Sequence, residues 1–493
     1  MQSTLFKPSS TPWTPHAYQK KAVKFLLEHA ASVLFLDPGL GKTSITLAAI
    51  KILKKKKMVE KVLLIAPLRV CYNVWPKELE KWDDFKDLKI QLLHGPDKAE
   101  ALKADADIYV INPEGLDWLL DAKKTKTKDG KIKVEVDVRR FKAFGFDALV
   151  IDELSKFKHT NTGRFKGLKH VLPTFSRRWG LTGSPAANSI MDLFAQCYVL
   201  DQGRTLGPYV THFRSQYFVP NPHNAYDWVL REGADEEIYK RLAPLALRMA
   251  ADDYLDMPQL IENRIRIQLP ENVRRVYDQL EEDLITQLDQ GLVTAATAGV
   301  ASMKCRQVAA GGIYLNQDVQ ALVKLPKSKR EWVNLHTEKV DALADLVDEL
   351  QGSPLLVAYD FGHDLDRIQE KLGREVPYIG GGVSPKRSKE LEDLWNAGKL
   401  PVLLGHPQSI AFGLNLQEIG NHVAWHTLTW DYELFDQFIR RILRQGNKAK
   451  KVFNHLLIAE DTVDEVVFAS LRRKKKGQNA FFEALKELRQ RRK

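Results

Sequence analysis

Cysteine is scarce in this chain. The 493 residues hold three, Cys71, Cys197 and Cys305, each more than a hundred residues from the next. Neither a disulfide framework nor a cysteine zinc site is implied, and a reducing, intracellular setting fits. Long apolar runs are missing too: stretches such as 62–67 and 355–358 fall far short of the ~18 residues that a membrane span needs. The opening MQSTLFKPSS lacks the apolar core of a signal peptide, so a soluble, cytoplasmic protein is expected. No short repeat is visible, and no low-complexity stretch beyond lysine runs. A hydrophobic share of 44% and a charged share of 28% exclude disorder and fibrous folds. The length predicts two or three domains at ~150 residues each.

Charge is unevenly spread. Lys and Arg outnumber Asp and Glu by 74 to 63, a net charge of +11. Residues 471–493 carry ten basic side chains against Glu483 and Glu487, a local balance of +8. Lysines cluster again at 54–57 and in KKTKTKDGKIK, 123–133. Solvated surface is the plain reading of each cluster. Contact with phosphate backbone, with an affinity that falls steeply with salt, is the functional one.

Short β-branched runs recur, each followed by a turn and an amphipathic stretch: SVLFLD (32–37), KVLLIAP (61–67), IYVIN (108–112), ALVIDE (148–153) and RRWGLTGSP (177–185). This rhythm predicts parallel strands in a doubly wound α/β sheet, a first lobe spanning 1–200. Within it, residues 131–138 alternate with period two after Asp129-Gly130, which predicts a basic hairpin ahead of the strand at Ala148. Across 201–330 the rhythm fades into helical patterns, as at 271–289, where Val273, Val276, Tyr277, Leu280 and Leu284 share one face. A helical insertion and linker is expected there. The α/β rhythm resumes at 331–470 with LLVAYD (355–360), VPYIG (376–380), PVLLGH (401–406), HVAWHT (422–427) and VFNHLLIA (452–459), and 471–493 form a basic tail.

In the first lobe SVLFLD runs into Pro38, Gly39, Leu40, Gly41, Lys42 and Thr43, and then into a helical pattern from Ser44. Glycines let backbone N–H groups approach phosphates, the helix N-terminus favours negative charge, Lys42 reaches the β- and γ-phosphates, and the Thr43 hydroxyl suits Mg²⁺. Leu36 stands where the common pattern has its first glycine. The strand ALVIDE ends in Asp152 and Glu153, two carboxylates placed to hold Mg²⁺ and to orient an attacking water. Far along the chain, QFIRRILRQGN spaces Gln437, Arg441 and Arg444 at i, i+4 and i+7, one face if the helix continues. Both arginines are then candidates for a finger on the γ-phosphate.

These motifs, in this order over residues 15–465, resemble those of superfamily 2 helicase-like ATPases, and more narrowly their Swi/Snf-type branch of double-stranded DNA translocases. PHAYQKKAV resembles the opening motif, whose glutamine, here Gln19, reads adenine. LIAPLRVCYNVWPKELEKW resembles the next, with Arg69 beside the DNA path and Trp75 and Trp82 packed behind it. IDELSKFKHT resembles the acidic box, with Ser155 where His is usual and Lys158 retained; LTGSPAANSIMDLFAQ carries the coupling motif through Thr182 and Ser184. SIAFGLNLQ and WDYELFDQFIRRILRQGN resemble the late motifs. Three departures stand out: His16 where Arg is frequent, Asn447 where the final Gln is common, and Leu36-Asp37 in place of an acidic pair.

The resemblance implies two RecA-like lobes joined through helical protrusions, with ATP and Mg²⁺ as cofactors. It assigns ATP to Gln19, Pro38, Gly39, Leu40, Gly41, Lys42, Thr43, Ser44, Gly413, Arg441 and Arg444. Mg²⁺ goes to Thr43 and Asp152, and catalysis to Lys42, Asp152, Glu153, Arg441 and Arg444. Double-stranded or branched DNA, gripped without sequence preference, goes to Arg69, Asn112, Lys158, Thr182, Ser184, Ser409 and Trp430. A compact core of this kind is expected to remodel DNA junctions, anneal strands or strip bound proteins. Two alternatives stay open: a helicase that separates strands on single-stranded DNA or RNA, and a non-catalytic DNA-binding scaffold, against which the intact Lys42, Asp152, Glu153, Arg441 and Arg444 argue.

Overall fold

The computed structural model describes residues 11–127, 132–221, 224–289, 295–314, 332–373, 375–411 and 413–490. They form two compact units: one takes the chain up to Leu255 together with the chain from Gly477, and the other runs from Asp256 to Lys476.

In the first unit the chain forms helix α1 (Ala17–Glu28), strand β1 (Ala31–Leu36) and helix α2 (Lys42–Lys55). Then come β2 (Val62–Ile65), the short helices α3 (Leu68–Asn73) and α4 (Trp75–Lys81), β3 (Ile90–Leu92) and β4 (Ile108–Ile111). A hairpin of β5 (Lys123–Lys126) and β6 (Ile132–Glu135) precedes β7 (Ala148–Asp152), the helix Gly163–Val171 and β8 (Arg177–Thr182). A second hairpin, β9 (Phe218–Asn221) and β10 (Asn224–Leu230), leads to β11 (Ala246–Met249). Seven of these strands make one all-parallel sheet in the order β11-β1-β8-β7-β2-β4-β3.

Side chains along a strand alternate between faces, so each buried strand feeds two cores. Val33, Phe35, Leu63 and Ile65 pack on one side; Leu34, Leu36, Val62 and Leu64 pack on the other. This is why these strands read as unbroken apolar runs. Each such side chain stabilises the fold by roughly 1.5–3 kcal/mol through burial.

The second unit has its own parallel sheet. It is built from β12 (Gln259–Ile267), then, after a small pair β13 (Gly312–Tyr314) and β14 (Trp332–Asn334), from β15 (Leu355–Ala358), β16 (Tyr378–Ile379), β17 (Val402–Gly405), β18 (His422–Trp425) and β19 (Lys451–Ala459). The order is β12-β19-β18-β15-β17-β16. Leu355, Val357, Leu404, Ala424 and Leu457 form a core on one face. No helix among the described residues is long and apolar enough to cross a membrane.

The middle of the chain differs from the expected helical insertion over 201–330. Residues to Leu255 belong with the first unit, where β11 pairs with β1, and residues from Asp256 open the second, where β12 pairs with β19 along nine residues. Both are edge strands, and Arg248 in β11 and Glu262, Asn263, Arg264 and Arg266 in β12 break the apolar run. Only a buried central strand carries that run. The helix Glu271–Asp289 is present, with Val273 and Tyr277 buried, but Val276 is exposed, and the side chain of Leu284 lies outside the described residues. No helix end marks the boundary at 470, since one helix runs Val463–Gln490, and the chain leaves the second unit at Gly477 within that helix. Residues 471–476, LRRKKK, are all strong helix formers, and the single Gly477 that follows costs only about 1 kcal/mol. The hairpin expected after Asp129-Gly130 forms as β5 and β6, while the turn itself lies outside the described residues.

Candidate nucleotide site

Three neighbouring parallel strands bring their carboxyl ends together. Phe35 of β1 pairs with Thr182 of β8, and Leu181 of β8 with Asp152 of β7. Ligands of open α/β sheets bind outside such ends.

After β1 the chain turns through Gly39 at φ 94° and Gly41 at φ 78°, left-handed values that favour glycine. A Cβ on Gly41 would lie 2.5 Å from Gln19 Nε2, so any other residue there would both take a strained φ and displace the Gln19 amide. The Leu40 side chain is buried in the core and anchors the turn. Lys42 Nζ donates to Leu36 O at 2.8 Å, which holds the ammonium against the loop. The buried Ser44 hydroxyl donates to Gly41 O at 3.1 Å. Pro38 and Thr43 are half-buried, Thr43 in the first turn of α2.

Gln19, assigned to adenine, is buried and works as a tether: its amide donates to Leu40 O at 3.3 Å and accepts from His16 N at 3.0 Å. The other side of the loop is held by Asp37, which pairs with Arg248 at 2.7 Å and accepts from Ala251 N at 3.0 Å. Arg248 carries no sequence signal for this role, since more than two hundred residues separate the partners.

Asp152 closes β7. Trp75 Nε1 donates to its Oδ2 at 3.0 Å, so this tryptophan, expected only as packing, is part of the site. Burial raises the Asp152 carboxyl pKa, opposed by nearby Lys42 and by the Trp75 bond. Glu153 follows in a left-handed conformation, φ 64° and ψ 65°, at a cost of roughly 1–2 kcal/mol for a residue with a Cβ. Its Oε1 accepts from Thr182 Oγ1 at 2.6 Å and from Ser155 Oγ at 2.9 Å, and Thr182 Oγ1 accepts from Ser184 N at 3.2 Å. The end of β8 is thereby wired to the carboxylate.

The donor set fits a magnesium nucleotide. Two backbone-exposing glycines, a lysine and a helix N-terminus suit phosphates. Thr43 and the Asp152 carboxylate suit the cation.

In the second unit Gly413 has φ 77°. The helix Tyr432–Ile439 ends before the two arginines, so Gln437, Arg441 and Arg444 do not share a helix face. Arg441 is buried, with Nη1 donating to Leu414 O at 2.9 Å, Nε to Gln437 O at 3.1 Å and Nη2 to Gln437 Oε1 at 3.1 Å. Arg444 is less enclosed and donates to Asn415 Oδ1 at 2.5 Å. Asn447 braces the segment through Gly420 O at 2.8 Å and Ile442 O at 3.0 Å.

The residues assigned to DNA divide by exposure. Arg69, Lys158, Ser409 and Trp430 are partly exposed. Asn112, Thr182 and Ser184 are buried, and Asn112 donates to Glu114 at 2.9 Å. Their side chains offer no surface to a duplex, because strand ends in a parallel sheet are packed beneath the loops that follow them.

The SNF2-related domain family matches residues 18–321. The putative protein p41 of Acyrthosiphon pisum secondary endosymbiont phage 1 is 32% identical, over 96% of this chain and 99% of that protein. The putative ATP-dependent helicase/translocase YwqA of Bacillus subtilis is 24% identical over 94% of this chain, which spans 48% of that longer protein. Among solved structures, the Sulfolobus solfataricus SWI2/SNF2 ATPase core in complex with dsDNA is 22% identical with a TM-score of 0.43, covering 98% of each chain. The match over more than half the chain, with a relative alike from end to end, places this protein in the SNF2-related family.

Proposed function

We propose that the chain is an ATP hydrolase that couples turnover to movement along double-stranded DNA. The observation that carries this reading is the bond from Thr182 to Glu153. It joins the carboxylate suited to orienting water to the segment that the resemblance places in coupling, so a shift at the end of β8 moves a catalytic oxygen. The name of one relative, a putative ATP-dependent helicase/translocase, supports it.

In this reading the amides of Gly39 to Lys42 and the Lys42 ammonium bind the β- and γ-phosphates. Thr43 and Asp152 would hold Mg²⁺, which when bound supplies positive charge against the phosphates. Glu153 orients the attacking water and takes up its proton. Of the two arginines, we assign the finger to Arg444, whose guanidinium reaches a surface, and give Arg441 the work of holding the Leu414 segment in place. Arg69, Lys158, Ser409 and Trp430 would meet the DNA backbone, without reading bases.

The test is the steady-state ATPase rate without nucleic acid and with duplex, branched and single-stranded DNA and RNA, at two salt concentrations. Strong, salt-sensitive stimulation by duplex or branched DNA is expected, with all turnover lost in Lys42→Ala. Stimulation by single strands alone would make the protein a strand-separating helicase. No turnover under any condition would leave a scaffold.

A further inference from the structure

The basic hairpin lies outside every motif used above, yet it is a built feature. Two-stranded hairpins are marginal alone in water, and this one is docked along the helix Gly163–Val171. Lys166 Nζ donates to Ile132 O at 2.7 Å, His170 Nε2 bonds Val134 O at 3.1 Å, and Val134 is buried. Lys124 pairs with Asp117. Gly163 gives the Lys124 stem room: a Cβ there would lie 2.7 Å from Lys124 Cε.

Register sorts the lysines. Lys124 pairs across from Val134 and Lys126 from Ile132, while Lys123 faces Glu135 and Thr125 faces Lys133. Val134 is turned to the helix, so Lys123, Thr125 and Lys133 take the opposite face, and all four residues of β5 are exposed. The described hairpin holds four lysines and one acid, Glu135, and the supporting helix adds Arg164, Lys166 and Lys169 with no acid. A docked two-stranded ribbon with a net positive charge is suited to a phosphate backbone, since its cations are placed before the partner arrives.

Its position adds to this. The supporting helix follows Lys158 after a short turn, and the docking contacts fall between its residues 163 and 170. At 1.5 Å per residue these contacts span roughly 10 Å of the helix. We infer that the hairpin is a second phosphate-backbone contact on double-stranded DNA, flanking the duplex that Lys158 meets; this rests on the translocase reading above.

The test compares the full-length chain with Lys123→Gln/Lys133→Gln, two exposed lysines on the face turned away from the helix. The control is Lys24→Gln/Lys103→Gln, the same charge change at exposed lysines elsewhere. Equilibrium binding to a 40-base-pair duplex is measured over a salt series. Each neutralised phosphate contributes about 0.9 to the slope of log K against log salt. The hairpin variant is expected to lose about 2 from the slope and at least tenfold in affinity, with its DNA-independent ATPase unchanged and the control unaltered. An unchanged slope, or an equal loss in the control, overturns the hairpin contact while leaving the translocase reading standing. If the unaltered chain does not bind duplex at all, the translocase reading itself is overturned. Lysines that merely protect a strand edge from aggregation would instead show in the variant's solubility, with its slope intact.

Discussion

At the site, single hydrogen bonds decide what two adjacent carboxylates can do. Trp75 supplies the indole donor to Asp152, and a hydrogen bond to a charged group is worth about 1.5–3 kcal/mol. Trp75→Phe keeps most of the ring and removes the donor, so turnover is expected to fall on the order of tenfold, with more Mg²⁺ needed for half-maximal rate. An unchanged Mg²⁺ titration would make Trp75 a packing residue only. Thr182 is a second such point, donating to Glu153 and accepting from Ser184 N. Thr182→Val, nearly the same shape, is expected to leave nucleotide affinity intact and lower turnover, and Thr182→Ser to restore it. Equal turnover in both variants would remove the hydroxyl from the coupling. The identities of Lys42, Asp152 and Glu153 could be picked out in the sequence because motif spacing carries them. Trp75 and Arg248 could not, because their partners are distant in the chain and meet only through the sheet.

For helices and strands, local pattern was a good guide to existence and a poor one to ends. The apolar rhythm of the segment after Tyr432 continues through Phe438, Ile439 and the buried Ile442, so nothing in it marks the stop at Ile439. The stop comes with the capture of the Arg441 guanidinium by Leu414 O and Gln437. The two arginines are therefore expected to behave differently. Arg441→Ala would leave the buried Leu414 carbonyl without this donor and lower stability by about 1–3 kcal/mol. Arg444→Ala is expected to change stability by under about 0.5 kcal/mol, to keep nucleotide binding and to lose hydrolysis. Thermal melting and nucleotide affinity measured side by side check this; equal destabilisation would remove the distinction. Strands followed a similar rule. The buried central ones were visible as apolar runs, whereas β11 and β12 at the sheet edges were not, because edge strands tolerate charge.

At the scale of the whole molecule each unit has its own sheet and core, and the buried histidines with pKa pushed down to about 4 both belong to the second. Burial lowers His336 most, with Arg367 and Lys339 adding to it. For His455 the causes are burial and then the neighbouring His422, whose Nδ1 is 3.1 Å away. An imidazole depressed to about 4 in the folded chain but titrating near ~6.5 when unfolded binds more protons in the unfolded state between those values. Stability is therefore complete above ~6.5 and declines as pH falls toward 4, on the order of 2 kcal/mol for each group by pH ~5. Calorimetry is expected to resolve two transitions, with the one from the second unit moving down between pH ~7 and ~5. A midpoint that stays constant over that range would contradict the buried neutral state.

The two-lobe α/β class, the nucleotide loop, the acidic pair and the order of motifs can be read from the residues alone. All of these rest on local spacing, which a chain carries whether folded or not. Folding decided which of the named side chains are buried, where the middle of the chain divides, and that Thr182 serves Glu153. It also decided that the basic hairpin rests on the helix after Lys158. Those outcomes depend on which strand ends lie side by side. Parallel pairing brings together residues far apart in the chain, and no periodicity within a segment encodes that neighbour.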